Sequence, residues 1–339
     1  MASYGFRGSY VRRRDFIKVI AGSAAAWPLA GRAQQGERMR RIGVLLPTTG
    51  NDPAGQVRLA LFTQALQRLG WTDGRNVRIE TRWGGGDADR YRKYAAELLA
   101  LAPDVIVVNT SVVVAIFQQA TQTVPIVFVG VIDPVGNGFV ATLARPGGNI
   151  TGFALFEFGV SGKWLSLLKE IAPNVTRAAV LRDPSTAAGT GQLGAIQAVA
   201  PSLGIELNPL DVRSQAALEG TIAEFARAPN GGVIVTASPV GQVHRKQITA
   251  LMARHRLPAV YPFRYFVDVG GLISYGPDQD VGYAPAAGYV DRILKGEKAA
   301  DLPVHAPDRY ELVINLKTAK ALGLAMPPAV LGRADEVIE

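Results

Sequence analysis

From Arg41 onward, short apolar runs rich in β-branched residues alternate with longer stretches whose apolar positions recur every three or four residues. The short runs predict strands at 42–46, 77–82, 105–108 and 126–129, then at 178–181, 205–210, 233–236, 259–262 and 272–274. The longer stretches predict helices at 56–69, 90–101 and 112–121, then near 193–202, 215–226 and 242–254. Strands that are apolar throughout, separated by helix-length amphipathic segments, belong to parallel sheets covered by crossover helices.

The pattern runs twice. Arg41-Ile-Gly-Val-Leu-Leu-Pro matches Arg177-Ala-Ala-Val-Leu-Arg-Asp-Pro at an offset of 136 residues. Val105-Ile-Val-Val-Asn-Thr-Ser matches Val233-Ile-Val-Thr-Ala-Ser at 128, and Val124-Pro-Ile-Val-Phe matches Leu257-Pro-Ala-Val-Tyr at 133. A near-constant offset indicates two doubly wound α/β lobes of one topology. The expected division is lobe 1 at 41–150 and about 278–300, and lobe 2 at 151–275. The turn-rich Arg145-Pro-Gly-Gly-Asn-Ile-Thr-Gly152 suits one crossing between lobes, and Ser274-Tyr-Gly-Pro277 a second. A helix from 278 to 295 would return to lobe 1, with Pro285 expected to kink it. Residues 301–339 carry an extended Pro-rich crossing, a strand at 310–316 and a closing helix at 317–322 that Asn315 caps. Their lobe is left open.

Composition narrows the chemistry. The 339-residue chain is 48% hydrophobic and 19% charged, a globular composition long enough for two domains. It has no cysteine, so disulfides, thiol nucleophiles and thiolate metal sites are excluded. Three scattered histidines make no metal site. Gly-x-Ser-x-Gly, P-loop and His-Glu-x-x-His motifs are all absent.

The net charge of +8 hints at nucleic acid until its location is read. Arg12-Arg13-Arg14-Asp15-Phe16-Ile17-Lys18 precedes a short apolar run of small residues and a small-x-small site ending at Ala33. Residues 1–33 therefore read as an export signal cleaved after Ala33, with Arg13 and Arg14 as a twin-arginine pair. Removing them leaves 30 basic and 27 acidic residues, a net charge of +3, and no case for nucleic acid.

In open parallel sheets, ligands bind outside the carboxyl ends of the strands. Two such lobes facing each other make a cleft lined by the loops after the strands. Those loops offer Thr49, Asn51, Asn109, Thr110, Ser111 and Asp133 from the first lobe. The second offers Asp183, Ser185, Thr236, Ser238 and Tyr261, and the hinge offers Tyr275 and Asp278. Hydroxyls at a helix N-terminus, as at Thr110, Ser111, Thr236 and Ser238, hold a carboxylate or merely cap the helix. Asp133 and Asp278 pair with an ammonium, or close a turn and cap a helix. Tyr261, Phe263 and Tyr275 form an aromatic wall, or pack in the core.

Several segments resemble one bacterial family: the signal itself, Arg145-Pro-Gly-Gly-Asn-Ile-Thr-Gly152, Gly271-Leu-Ile-Ser-Tyr-Gly276, Tyr289-Val-Asp-Arg-Ile-Leu-Lys-Gly296 and Tyr310-Glu-Leu-Val-Ile-Asn-Leu-Lys-Thr-Ala-Lys-Ala-Leu-Gly323. Together they resemble the ABC-transporter substrate-binding proteins related to tryptophan/tyrosine-binding proteins, over nearly the whole chain. The resemblance implies a periplasmic, monomeric protein of two Rossmann-like lobes with a multi-strand hinge. Such a protein has no catalysis and no cofactor; it delivers an amino acid or small carboxylate to an inner-membrane permease. The Asp183-Pro184 turn departs from the Asn-Pro of many relatives.

Two rival functions share parts of this pattern. Gly189-Thr-Gly191-Gln-Leu-Gly194, followed by Asp211, matches a dinucleotide fingerprint and would suit an exported oxidoreductase. Its first glycine lies well beyond the strand end, which is the wrong place. A sensory partner of a membrane receptor would use the same fold and cleft.

Overall fold

The computed structural model describes Met1 and residues 39–339. The export signal, with Arg13, Arg14 and Ala33, lies outside the described residues. No helix among the described residues is long and apolar enough to cross a membrane.

The first sheet contains β1 (Arg40–Leu46), β2 (Val77–Trp83), β3 (Val105–Asn109), β4 (Ile126–Val131) and β5 (Ile150–Ala154), all parallel, in the order 2-1-3-4-5. Three helices alternate with its strands: α1 (Pro53–Arg68), α2 (Ala88–Ala100) and α3 (Ser111–Ala120). The Asp52 carboxylate caps α1 by accepting from Ala54 N and Gly55 N, with Pro53 at the position that needs no N–H.

The second lobe follows with α4 (Val160–Ile171), β6 (Arg177–Arg182), α5 (Ala187–Leu203), β7 (Glu206–Asp211), α6 (Gln215–Phe225) and β8 (Gly231–Val235). It continues through α7 (Pro239–Val243), α8 (Arg245–Arg254), β9 (Ala259–Tyr261), α9 (Arg264–Val267) and β10 (Ile273–Gly276). The chain then returns as α10 (Tyr283–Leu294) before β11 (Glu311–Asn315), α11 (Leu316–Leu322), α12 (Pro328–Leu331) and β12 (Glu336–Ile338). The second sheet runs 12-11-10-9-8-6-7, with β11 antiparallel to β10.

The duplication read from the sequence is therefore real in three dimensions. Strands β1, β2, β3, β4 and β5 correspond in order to β6, β7, β8, β9 and β10. Each sheet is buried on both faces. In the first, α1 and α10 cover one face around Phe62, Leu66 and Val290, while α2 and α3 cover the other around Tyr91, Leu98 and Phe117. The second sheet is covered by α4 and α5 around Trp164 and Ile196, and by α6 and α8 around Ile222 and Ile248.

Four local expectations change. Ile150-Thr151-Gly152 is a strand of the first sheet, not a crossing, so residues 151–154 stay with lobe 1. Gly152 lies so close to β4 that a methyl group there would sit 2.0 Å from Phe128 O. Helix α4, around Trp164 and Leu168, was absent from the sequence reading although its apolar positions are regular. The helix expected at 242–254 is two helices that meet at His244. Pro285 kinks nothing, because α10 starts at Tyr283 and places it in the first turn, where no intrahelical N–H is required. The Asn315 cap does form, accepting from Thr318 N at 3.0 Å, and its strand and helix belong to the second lobe.

Three segments pass between the sheets: 155–159, 277–282 and 302–310. The third runs beside β5, with Ala154 N donating to His305 O, His305 N to Gly152 O, and Thr151 Oγ1 to Leu302 O at 2.6 Å. Phe153 stacks on His305 there, and Tyr289 packs against both at an angle, with ring centroids 5.0 to 5.8 Å apart.

Candidate functional site

A strand order of 2-1-3 creates a crevice where the chain turns opposite ways after β1 and after β3. The same crevice lies between β6 and β8 in the second lobe. The two face each other across a cleft. From the first lobe it is lined by Asn109, Thr110, Ser111, Gly130 and Ile132. The second lobe contributes Thr186, Ala237, Ser238, Gln242, Phe263 and Tyr265, and the crossovers contribute Leu155 and Gln279. Apolar walls with a few converging polar groups have the character of a small-solute site. None of the lining residues carries a formal charge.

The lobes are closed upon each other. Arg245 Nη2, on α8, lies 3.0 Å from Asp52 Oδ2 at the head of α1. A methyl group placed on Gly86 of the first lobe would meet Val243 Cγ2 of the second at 3.3 Å.

Thr110 is the most distinctive lining residue. It stands ahead of α3 with φ 77° and ψ 149°, a conformation that a β-branched residue rarely adopts. Its hydroxyl makes no capping bond, and Oγ1 is buried without a partner. Across the cleft Gln242, 4% exposed, leaves Nε2 equally unpartnered. Buried polar atoms are nearly always hydrogen-bonded, so two orphans facing one cleft from opposite lobes mark a place for a ligand.

The other lining groups are partly engaged. Asn109 Nδ2 donates to Val129 O at 2.7 Å, an approach permitted by the bulge at Gly130, where φ is 75°. Ser111 Oγ accepts from Ile132 N and donates to Ile132 O, joining the loops after β3 and β4. Ser238 Oγ caps α7 by accepting from Gly241 N, and Thr186 Oγ1 caps α5 by accepting from Gly189 N.

Of the sequence-derived candidates, Asn109, Thr110, Ser111 and Ser238 line the cleft. The rest do not. Thr49 and Asn51 are exposed and bonded to each other, Oγ1 to Oδ1 at 2.7 Å. Asp133 closes a turn by accepting from Gly136 N. Asp183 accepts from Ser185 N and Ser185 Oγ in a turn of its own. Thr236 Oγ1 donates to Leu181 O inside the second lobe. Tyr261 is a core residue stacked on Phe266 at 4.8 Å, and Tyr275 stacks on Tyr310 in the hinge. Asp278 accepts from Asp280 N and borders a second cavity in the hinge. Asp133, Asp183 and Asp278 each accept from a backbone N–H two or three residues on, because a short polar side chain at a turn reaches its own backbone first.

The residues sequence reasoning missed are longer. Gln242 lies four residues past the Ser238 cap, and Gln279 sits in the second crossover. Arg58 lies behind Gln279, buried in α1 on one stripe with Phe62 and Ala65, and this i, i+4, i+7 spacing was the available signal. Burial by itself would lower the Arg58 guanidinium. Tyr283, Asp280 and Tyr265 outweigh that and raise it, so it remains a cation. Burial pushes the Tyr265 phenol upward against the pull of Arg58 and Arg245, so it faces the cleft as a neutral hydroxyl.

The dinucleotide alternative has no loop to bind phosphate. Residues 189–194 are inside α5, where Gly189 packs on Asp183 and Gly191 on the Phe158 ring.

A family profile described as "ABC transporter substrate binding protein" matches residues 51–338. The chain belongs to that family. Its members are extracytoplasmic solute-binding proteins rather than enzymes. One curated relative is a tyrosine-binding protein of Clostridioides difficile (strain R20291), 24% identical over 270 residues, covering 78% of this chain and 75% of that one. An ABC domain from Streptococcus pneumonia in complex with L-Trp superimposes with a TM-score of 0.80 at 25% identity, covering 89% of this substrate-binding chain and 100% of the other. A ligand-free, open substrate-binding protein from Clostridium difficile gives 0.61 at 23% identity, covering 88% and 99%.

Proposed function

We propose that this substrate-binding protein serves an ABC uptake transporter, closes on an α-amino acid with an apolar or aromatic side chain, and releases it to an inner-membrane permease. The observation that carries the amino-acid reading is the pair of buried unpartnered atoms, Thr110 Oγ1 and Gln242 Nε2, on opposite lobes. A carboxylate at the N-terminus of α3 would meet the free N–H groups of its first turn, the Thr110 hydroxyl and the Gln242 amide together. Gripping one group from both lobes favours closure, since only the closed state satisfies all donors. The ligand ammonium would be met by neutral acceptors, because Asp133, Asp183 and Asp278 are committed elsewhere. The walls formed by Leu155, Ile132, Phe263 and Tyr265 suit an apolar side chain. The relatives with tyrosine and L-Trp support the same class.

Titration calorimetry of the purified exported chain with L-tryptophan, L-tyrosine and L-leucine tests the proposal. Saturable one-to-one binding of at least one, weakened about tenfold or more in Thr110→Ala and in Gln242→Met, is the expected result. Heat-free titrations with every α-amino acid would overturn it.

A further inference from the structure

Gln279 stands where the cleft meets the hinge, lining both the cleft and the hinge cavity. Behind it Arg58, 4% exposed, donates from Nη2 to Gln279 Oε1 at 2.6 Å and from Nε to Asp280 Oδ1 at 2.8 Å. A guanidinium has donors only, so the atom of the amide that faces it is the oxygen. Turning the amide over would set an NH2 group against a buried cation and leave the guanidinium short of an acceptor, which is costly in a site this dry.

We infer that Arg58 is a positioning residue that sets the polarity of the inner end of the cleft. With its oxygen held, Gln279 has its two Nε2 hydrogens left for the solute, and the solute atom beside them must be an acceptor. The same reasoning applies at Asn109 with the opposite sign. One hydrogen of its Nδ2 is held by Val129 O, a group that can only accept, which fixes the amide's orientation and leaves Oδ1 to receive a hydrogen bond. The cleft therefore sets an acceptor at Asn109 against donors at Thr110, Gln242 and Gln279. This pattern selects solutes with a carboxylate or carbonyl oxygen at the hinge end and rejects those with a cation there. The inference rests on the solute-binding reading and narrows its substrate class.

The test compares Gln279→Glu, Gln279→Met and Arg58→Lys with the unaltered protein. Three probes are used: L-tryptophan, indole-3-propionate, which lacks the ammonium, and tryptamine, which lacks the carboxylate. Gln279→Glu keeps an oxygen for Arg58 and replaces the donors with a second oxygen. Its ligand-free Tm should equal or exceed that of the unaltered protein, whereas Gln279→Met should lower it. In Gln279→Glu the ratio of affinities for indole-3-propionate and tryptamine should fall by about tenfold or more. Arg58→Lys cannot span Asp280 and Gln279 with a planar fork, and should shift the ratio in the same direction by less. A merely structural role would weaken all probes alike and leave the ratio unmoved. An unmoved ratio overturns the inference, and so does a ligand-free Tm that falls as far in Gln279→Glu as in Gln279→Met. If the unaltered protein binds none of the three, the indole side chain is not its solute, the amino-acid reading is decided by the wider titration above, and the ligand-free Tm comparison still decides whether Arg58 holds the oxygen.

Discussion

Asp52 and Arg245 join the two lobes through a single carboxylate that has two tasks. Its Oδ1 accepts from Ala54 N and Gly55 N and caps α1, while its Oδ2 receives Arg245 Nη2 at 3.0 Å from across the cleft. Both side chains are largely shielded, at 10% and 15% exposure, so solvent screens the pair less than it would on the surface. Asn caps a helix as well as Asp does, so Asp52→Asn should leave the fold intact and remove only the charged contact. The closed state should lose about 1–3 kcal/mol relative to the open one. Solute affinity should fall about tenfold, and the ligand-free radius of gyration by small-angle scattering should rise. Unaltered affinity in both Asp52→Asn and Arg245→Gln would show that the pair does not hold the lobes together.

Thr110 sets stability against binding. Its φ of 77° suits glycine, and its hydroxyl is buried without a partner. Thr110→Gly should relieve strain of about 1–3 kcal/mol, less the entropy that glycine adds to the unfolded chain. It should also remove a ligand contact. Tm should rise while solute affinity falls about tenfold. Thermal unfolding and calorimetry on one preparation would show the two moving in opposite directions. A fall in both would mean that the Thr110 methyl and hydroxyl hold the loop in place.

The strand pattern and the offset of about 130 residues were enough to read the two lobes and the cleft, because fully apolar strands have few other places to go. Two features were not legible. Residues 150–154 look like a turn in Pro-Gly-Gly-Asn-Ile-Thr-Gly, yet Gly152 serves a close approach between strands rather than a bend. The site was read through short hydroxyl and carboxylate residues at strand ends, and most of these satisfy their own turns. Asp133, Asp183 and Asp278 are examples. Long side chains that start elsewhere and reach the cleft, such as Gln242, Tyr265 and Gln279, leave no local signature. Their positions depend on how the lobes meet, and that is a tertiary property.

The glycines of α5 separate packing from cofactor binding. A methyl group on Gly189 would sit 2.0 Å from Asp183 O, and one on Gly191 2.5 Å from the Phe158 ring. Gly189→Ala cannot be relieved by a side-chain rotation, because its neighbour is backbone. It should destabilise the second lobe by about 1–3 kcal/mol through the forced shift. Gly194 has open space around it, and Gly194→Ala should stabilise the helix by up to about 1 kcal/mol. A phosphate-binding loop would instead lose NAD binding in both variants with little change in Tm. Chemical denaturation of each variant, with and without NAD, distinguishes the two.

His244, at the junction of α7 and α8, links the site to pH. Burial holds its imidazole below the ordinary value, so the folded protein favours the neutral ring. A depressed value contributes stability above the ordinary pKa of about 6.5, and that contribution is lost as pH falls through the folded value. Acid should therefore loosen the corner that carries Gln242 and Arg245. Asp268, raised by burial, works in the opposite direction, because its protonated form is favoured on folding. Total stability against pH consequently mixes the two, and the informative comparison is between variants at each pH. His244→Gln cannot titrate, so its Tm should fall less between pH 7.5 and pH 5.5 than that of the unaltered protein. The ring is only partly buried, so the difference should be small, and solute affinity should show the same trend through Gln242. Parallel Tm curves for the two proteins across that range would mean that His244 titrates alike in the folded and unfolded chain.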